Sequence, residues 1–138
     1  MIRSTLAVVA GIAVLTIASF AIEAAADPLL MRLFPVALPD RAAIGHNLPA
    51  SLFMFAYSAL CVAAGGYTTA WVARRAPVRH AAVMGIVQVA LTVWAMISLP
   101  HQAPLRNWIV ALVFTLPAAA CGGLLRAKRA GAGSPARE

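Results

Sequence analysis

The sequence contains too little charge for a domain that folds in water. Charged residues make up only 11% of the chain, whereas hydrophobic residues make up 62%, and the mean hydropathy is +0.86. A soluble domain carries about 25% charged residues, most of them on its surface. The composition therefore excludes an ordinary globular fold in water and predicts a protein embedded in a lipid bilayer.

Cysteines and catalytic motifs are also scarce. The two cysteines, Cys61 and Cys121, each lie inside an apolar stretch, so we interpret both as small buried hydrophobic residues and not as a disulfide framework. The sequence has no phosphate-binding loop, nucleophile elbow, HExxH motif or paired carboxylates, and the histidines lack metal-ligand spacing. We predict no enzymatic activity, no cofactor and no bound metal.

The hydrophobic residues fall into four stretches, each close to the roughly 20 residues that a helix needs to cross a bilayer. The predicted fold class is an all-α bundle of four transmembrane helices, over about residues 4–25, 51–73, 81–99 and 107–125. These helices and an outer loop form one transmembrane domain, residues 1–126. A basic tail, residues 127–138, is expected to be disordered and cytoplasmic.

The outer loop, residues 27–50, is the longest connection between the predicted helices. Its prolines disfavour a long regular helix; they are Pro28, Pro35, Pro39 and Pro49. Asp27 and Pro28 favour the start of one short helical turn, whose leucines would lie on the bilayer surface. An irregular loop is an equally weighted alternative.

The basic residues predict the orientation of the helices. Three of the eleven Lys and Arg residues, Arg32, Arg41 and Arg106, lie on one side. The other eight lie on the opposite side, and they are Arg3, Arg74, Arg75, Arg79, Arg126, Lys128, Arg129 and Arg137. Because Lys and Arg favour the cytoplasmic side, we predict a multi-pass inner-membrane protein with both termini in the cytoplasm.

Small residues repeat at heptad spacing along each predicted helix. These seams comprise Ala7, Gly11, Val14, Ala18, Ala21 and Ala25; Ala59, Ala63, Gly66 and Ala70; Ala81, Gly85, Gln88, Thr92 and Ala95; and Ala111, Thr115, Ala118 and Gly122. Small residues let helices approach closely in lipid, and the period favours crossings near +20°. The glycines expected at helix contacts are Gly11, Gly65, Gly66, Gly85, Gly122 and Gly123. The pattern leaves open whether the seams pack within the chain or against another subunit.

Two polar residues within the predicted helices are candidate functional sites. Glu23 lies about 13 Å along the axis from the middle of its helix, so a structural role near the outer interface is favoured over proton or cation handling. Gln88 lies on a seam, which favours a hydrogen bond between helices over a substrate contact. Tyr67, Trp71 and Trp108 lie toward helix ends, as is typical of interface anchors.

Several short motifs carry a resemblance to a known group of proteins. They are Gly65-Gly66-Tyr67, Ala73-Arg74, His80-Ala81, Gly85, Pro117 and Gly122-Gly123. With these motifs the chain resembles a group of small uncharacterised four-helix bacterial integral membrane proteins, which implies the topology and no catalytic residue. Four short helices with a glutamate in the first are also similar to small multidrug-resistance transporters, although Glu23 lies nearer the outer end than the midplane glutamate of that family.

Two functions follow as hypotheses. The first is a non-enzymatic membrane protein that acts through helix–helix association, as a homo-oligomer or as an accessory subunit of a membrane complex. The second is a small oligomeric transporter of cations or lipophilic solutes, with Glu23 as the coupling carboxylate. The expected partners are the bilayer and other membrane subunits. Nucleic acid is not expected, because the basic residues lie at the ends of apolar stretches.

Overall fold

The computed structural model describes residues 2–73, 76–99 and 102–132. These residues form helices without strands: α1 (Ile2–Leu33), α2 (Arg41–His46), α3 (Leu48–Ala73), α4 (Pro77–Ser98) and α5 (Leu105–Ala132). All except α2 are long and apolar enough to cross a membrane. Even α4 is about 33 Å long at 1.5 Å per residue, against a hydrocarbon core of about 30 Å. The predicted all-α class with four membrane-spanning helices is confirmed.

Helix α3 lies at the centre of the bundle, where it packs against α1, α4 and α5. Helices α4 and α5 also pack closely together, whereas α1 and α4 contact each other less. Successive long helices run in opposite directions, so α3 is parallel to α5. One end of the bundle carries α2 and is called the α2 end below. The opposite end holds the start of α1 and the end of α5.

Helices α1 and α3 cross where two glycines face each other. A Cβ atom added to Gly11 would lie 2.7 Å from the carbonyl oxygen of Gly65, and one added to Gly65 would lie 2.8 Å from the carbonyl oxygen of Gly11. Thr69, which is fully buried, fills the space beside Gly11 and donates its hydroxyl to the carbonyl of Gly65 at 3.0 Å. Any larger side chain at either glycine would push the two backbones apart.

Helices α3 and α5 make a second close contact of the same kind. A Cβ atom on Gly66 would overlap the carbonyl oxygen of Ala119, and one on Gly122 would overlap the carbonyl oxygen of Ala63. The remaining predicted packing glycines face the α4–α5 contact: Gly85 lies against Leu116 and Ala119, and Gly123 lies against Val78 and Ala81. All six glycines therefore pack within one chain.

The apolar core lies between these crossings. It consists of Leu15, Cys61, Val62, Met84 and Ala119. Within the chain the predicted seam of α1 is only partly buried: Val14, Ala21 and Ala25 are exposed. Leu15, one turn after Gly11 on the same face, is buried against α3 instead. The expectation of burial is wrong for Cys121, which is exposed on α5.

The helices extend beyond the predicted limits at both ends of the bundle. Helix α1 passes through Pro28 to Leu33, so the predicted helix start at Asp27 is wrong. Proline removes one main-chain donor. The turn after it stays helical because Leu30 and Met31 pack on an apolar cluster formed by Leu38, Ile44 and Ala50. Helix α5 continues to Ala132, because Ala, Lys and Arg favour helix. Residues 133–138 of the predicted tail lie outside the described residues.

Replacement of glycine by alanine should affect stability differently at two positions of α5, because only one of them lies in the contact with α3. Gly122→Ala should lower the free energy of unfolding by about 1–3 kcal/mol, because the new methyl group meets a backbone that cannot move aside. Gly131→Ala is the matched control, since its methyl group would meet nothing within 4 Å. It should be neutral or stabilising by up to about 1 kcal/mol. Unfolding in detergent followed by circular dichroism measures both, and equal values for the two variants would contradict the packing.

Candidate functional site

Two residues at the α2 end each cap the start of a helix. Asp40 precedes α2, and its side chain accepts a hydrogen bond from the main-chain N–H of Ala43 at 2.8 Å. Asn47 precedes α3, and its side chain accepts from the N–H of Ala50 at 3.1 Å. Both residues satisfy donors that a helix start leaves unpaired. A short helix and a long helix therefore begin within eight residues of each other.

The end of α2 is held by side chains from α3 and α5. The main-chain carbonyl of Gly45 accepts hydrogen bonds from the hydroxyl of Ser51 at 3.0 Å and from the side-chain amide of Asn107 at 2.9 Å. The carbonyl of His46 accepts from the guanidinium of Arg106 at 2.6 Å. Ser51 and Asn107 are buried. These bonds satisfy the carbonyls at the end of α2 and fix it over α3 and α5.

The start of α2 is held to α1 by one arginine between two carboxylates. Arg41 lies 2.6 Å from a carboxylate oxygen of Glu23 and 2.9 Å from one of Asp27. The two acidic residues lie four positions apart and so share one face of α1. Their side chains are only 27% and 13% exposed, against 68% for Arg41. The partly buried carboxylates thus have their counter-charge on α2.

A cleft of about 610 Å³ opens beside this ion pair. Its charged lining is Glu23, Asp27, Arg32 and Arg41, and its apolar lining includes Phe20, Met31 and Leu38. Nearby on α3, the hydroxyl of Tyr57 is buried and has no hydrogen-bond partner among the described residues. The cleft combines opposite charges with an apolar wall, which suits contact with an amphipathic molecule or a lipid headgroup.

Glu23 forms an ion pair with Arg41 at the α2 end, and the structural role favoured for it stays a prediction. The transport hypothesis stays a prediction, and it requires Glu23 to exchange Arg41 for a proton or a substrate. Within the ranges 2–73, 76–99 and 102–132, no group of His, Cys, Asp and Glu side chains could hold a metal ion. Of the two histidines that the predicted topology places on the same side as Glu23, His46 is exposed and His101 lies outside the described residues.

Gln88 lies at the middle of α4, the twelfth of its 22 residues. It is half-buried. Its main-chain carbonyl accepts a hydrogen bond from the hydroxyl of Thr92 at 2.9 Å, but its side-chain amide has no hydrogen bond within the part of the chain that the structure describes. The predicted bond between helices is therefore not made inside this bundle.

The topology-setting residues within the described ranges lie at the end opposite to α2. Arg79, Lys128 and Arg129 are exposed, and Arg126 is half-buried. The guanidinium of Arg129 lies 5.7 Å from the centre of the Tyr67 ring, a distance at which a cation and an aromatic face attract. Arg74, Arg75 and Arg137 lie outside the described residues.

Four residues of the α2 end were not singled out from the sequence as parts of one site: Arg41, Ser51, Arg106 and Asn107. Two local signals in the sequence could have indicated part of this site. Asp40 and Asn47 are typical helix-start residues, and an apolar residue follows each of them within four positions. They mark α2 and the start of α3, but the partners that reach α2 from α5 are 60 or more residues away.

No protein-family model, curated protein or solved structure matches this chain. The resemblance to small four-helix bacterial membrane proteins stays a prediction from the motifs quoted for it.

The ion pairs of Arg41 with Glu23 and Asp27, together called the Arg41 bridge, should stabilise α2 locally. Arg41→Gln should increase amide hydrogen exchange over residues 41–46 by no more than about fivefold, because the arginine is largely exposed and such a pair contributes less than about 1 kcal/mol. Arg32→Gln is the matched control, since Arg32 lines the same cleft without an ion pair to any described residue. The bridge has no structural role if exchange is the same in both variants.

Proposed function

We propose that this protein acts through helix–helix association in the membrane, as a non-enzymatic homo-oligomer or accessory subunit. The observation that carries the proposal is the unpaired side-chain amide of Gln88 at the middle of α4. An amide in the hydrocarbon core has no water to bond with, and partners on a neighbouring helix satisfy it. The amide therefore favours a protein neighbour on this side of the bundle.

The glycine contacts are not available to that neighbour. All six packing glycines are already in contact within the chain, so association has to use another surface. The buried residues of α4 are Ala81, Met84 and Gly85, and all of them precede Gln88. The half of α4 from Ile86 to Ser98 is thus only partly covered, and Gln88 and Thr92 lie on it.

A second copy of the chain suits this surface. An amide side chain has two donors and an acceptor with two lone pairs, so two Gln88 side chains related by a two-fold axis can bond to each other. Most homo-oligomers have such symmetry. Half-buried Thr92 and Ala95 lie one and two turns further along α4, and their small size permits close approach.

Removal of the amide should weaken association without unfolding the chain. We expect Gln88→Leu to raise the dissociation constant in liposomes by about three- to twentyfold, since hydrogen bonds between membrane helices contribute roughly 0.6–1.7 kcal/mol. Energy transfer between donor- and acceptor-labelled chains, measured while lipid is added, gives this constant. Leu60→Ala is the control, because Leu60 is 71% exposed on α3, outside this half of α4, and carries no polar group.

Two results would contradict association through Gln88. One is an unchanged dissociation constant for Gln88→Leu, and the other is a monomeric wild-type chain at every lipid dilution, without a co-purifying subunit. A hetero-complex that dissociates in Gln88→Leu but not in Leu60→Ala would instead support the accessory-subunit form of the proposal.

The proposed location is the bacterial inner membrane, with both termini and the end opposite to α2 in the cytoplasm. The support is the distribution of charge. The described basic residues at that end are Arg3, Arg79, Arg126, Lys128 and Arg129, against three at the α2 end. Such an excess of Lys and Arg marks the cytoplasmic side.

Reporter fusions test this orientation. Green fluorescent protein fused after residue 138 should fluoresce, and alkaline phosphatase at the same position should be inactive, since it needs an oxidising compartment for its disulfides. Alkaline phosphatase fused after residue 46 should be active, which provides the control for expression. The reverse pattern would place the α2 end in the cytoplasm and contradict the proposal.

A further inference from the structure

A second cleft, of about 570 Å³, lies at the end opposite to α2. It is lined by Arg3 from the first turn of α1, Trp71 and Val72 from the last turn of α3, and Arg126 from α5. Three helices thus bring two guanidinium groups and one indole ring to a single opening. The combination of positive charge and apolar surface distinguishes this cleft from the one beside α2, where both charge signs occur.

The packing of α5 on α3 determines where this cleft lies along the membrane normal. A Cβ atom on Gly122 would meet Ala63 on one side and Tyr67 on the other. Since the two helices are parallel, Arg126, one turn after Gly122, and Trp71, one turn after Tyr67, lie near the same end of the bundle. Trp71 is two residues, about 3 Å at 1.5 Å per residue, from the end of α3. The guanidinium groups therefore lie near the boundary between hydrocarbon and headgroups, where lipid phosphates are found.

Arg126 lacks a counter-charge in the described chain. Its Nε atom is buried and has no hydrogen-bond partner there. The acidic residues of the described ranges, Glu23, Asp27 and Asp40, all lie at the α2 end. Because Arg126 has no carboxylate near it within these ranges, its charge favours an anion from outside these residues.

We propose that the phosphate of an anionic glycerophospholipid binds between Arg3 and Arg126. Guanidinium groups bind phosphate oxygens through paired N–H donors, so two of them can share the two non-bridging oxygens of one phosphodiester. Trp71, which is 59% exposed, and Val72 provide an apolar wall for the glycerol and the acyl chains. That wall favours a lipid over free inorganic phosphate, which has no apolar part to cover it.

The neighbouring basic residues differ from this pair and provide a control. Lys128 is exposed and does not line the cleft. Substitution of Lys128 changes the net charge by the same amount as substitution of Arg126, so the two variants separate a built site from diffuse attraction to negative lipids.

Native mass spectrometry of the full-length protein in mild detergent tests the proposal. The detergent-solubilised protein is titrated with phosphatidylglycerol, with phosphatidylcholine and with inorganic phosphate. We expect one phosphatidylglycerol to be retained per chain, and Arg126→Gln and Arg3→Gln each to weaken its binding by about tenfold or more. Lys128→Gln should weaken it by less than about threefold. Arg3 is exposed, so its variant reports on binding even if Arg126→Gln unfolds.

Each of three results would overturn the site. Equal losses in Arg3→Gln and Lys128→Gln would show diffuse attraction in place of a built site. Equal retention of phosphatidylcholine and phosphatidylglycerol would show that the lipid need not be anionic. Displacement of phosphatidylglycerol by millimolar inorganic phosphate would assign the cleft to a soluble phosphate compound.

Discussion

The bundle depends on the close approach of helix backbones at two crossings, Gly11 with Gly65 and Gly66 with Ala119. In lipid, apolar side chains gain little by leaving the hydrocarbon for a protein interior, so helices associate through close packing and hydrogen bonds. Both crossings use α3, which explains why α3 contacts every other membrane-spanning helix. The bulky apolar side chains are left on the outside, where many of them are exposed to the surroundings of the bundle.

The same constraint separates the polar residues into three groups with different roles. At the α2 end, hydrogen bonds and the Arg41 bridge connect α2 to α1, α3 and α5. At the middle of α4, Gln88 has an amide without a partner, because close packing of α4 ends at Gly85. At the opposite end, the register of α5 on α3 brings Arg126 beside Trp71. Structure, association and lipid contact thus involve different residues of one small bundle.

Features that depend on composition and short-range pattern could be predicted from the sequence. Hydrophobic length predicts the four spanning helices, and small-residue spacing indicates the faces that carry Gly11, Gly66 and Gly122. The sequence alone did not predict that α1 continues beyond Pro28, because the packing of Leu30 and Met31 beside α2 outweighs the local effect of a proline. It also did not reveal the Arg41 bridge, since side chains 14 or more residues apart are brought together only by the way α2 folds back.

Solid-state nuclear magnetic resonance in lipid bilayers distinguishes glycine contacts within one chain from contacts between chains. Chains labelled at glycine Cα and alanine carbonyl carbons give a correlation between Gly66 and Ala119 if the two residues are in contact. We predict that this correlation keeps its intensity per labelled chain when labelled protein is diluted into an excess of unlabelled protein. Loss of the correlation on dilution would show that the seams join different chains, and it would contradict the fold on which the account rests.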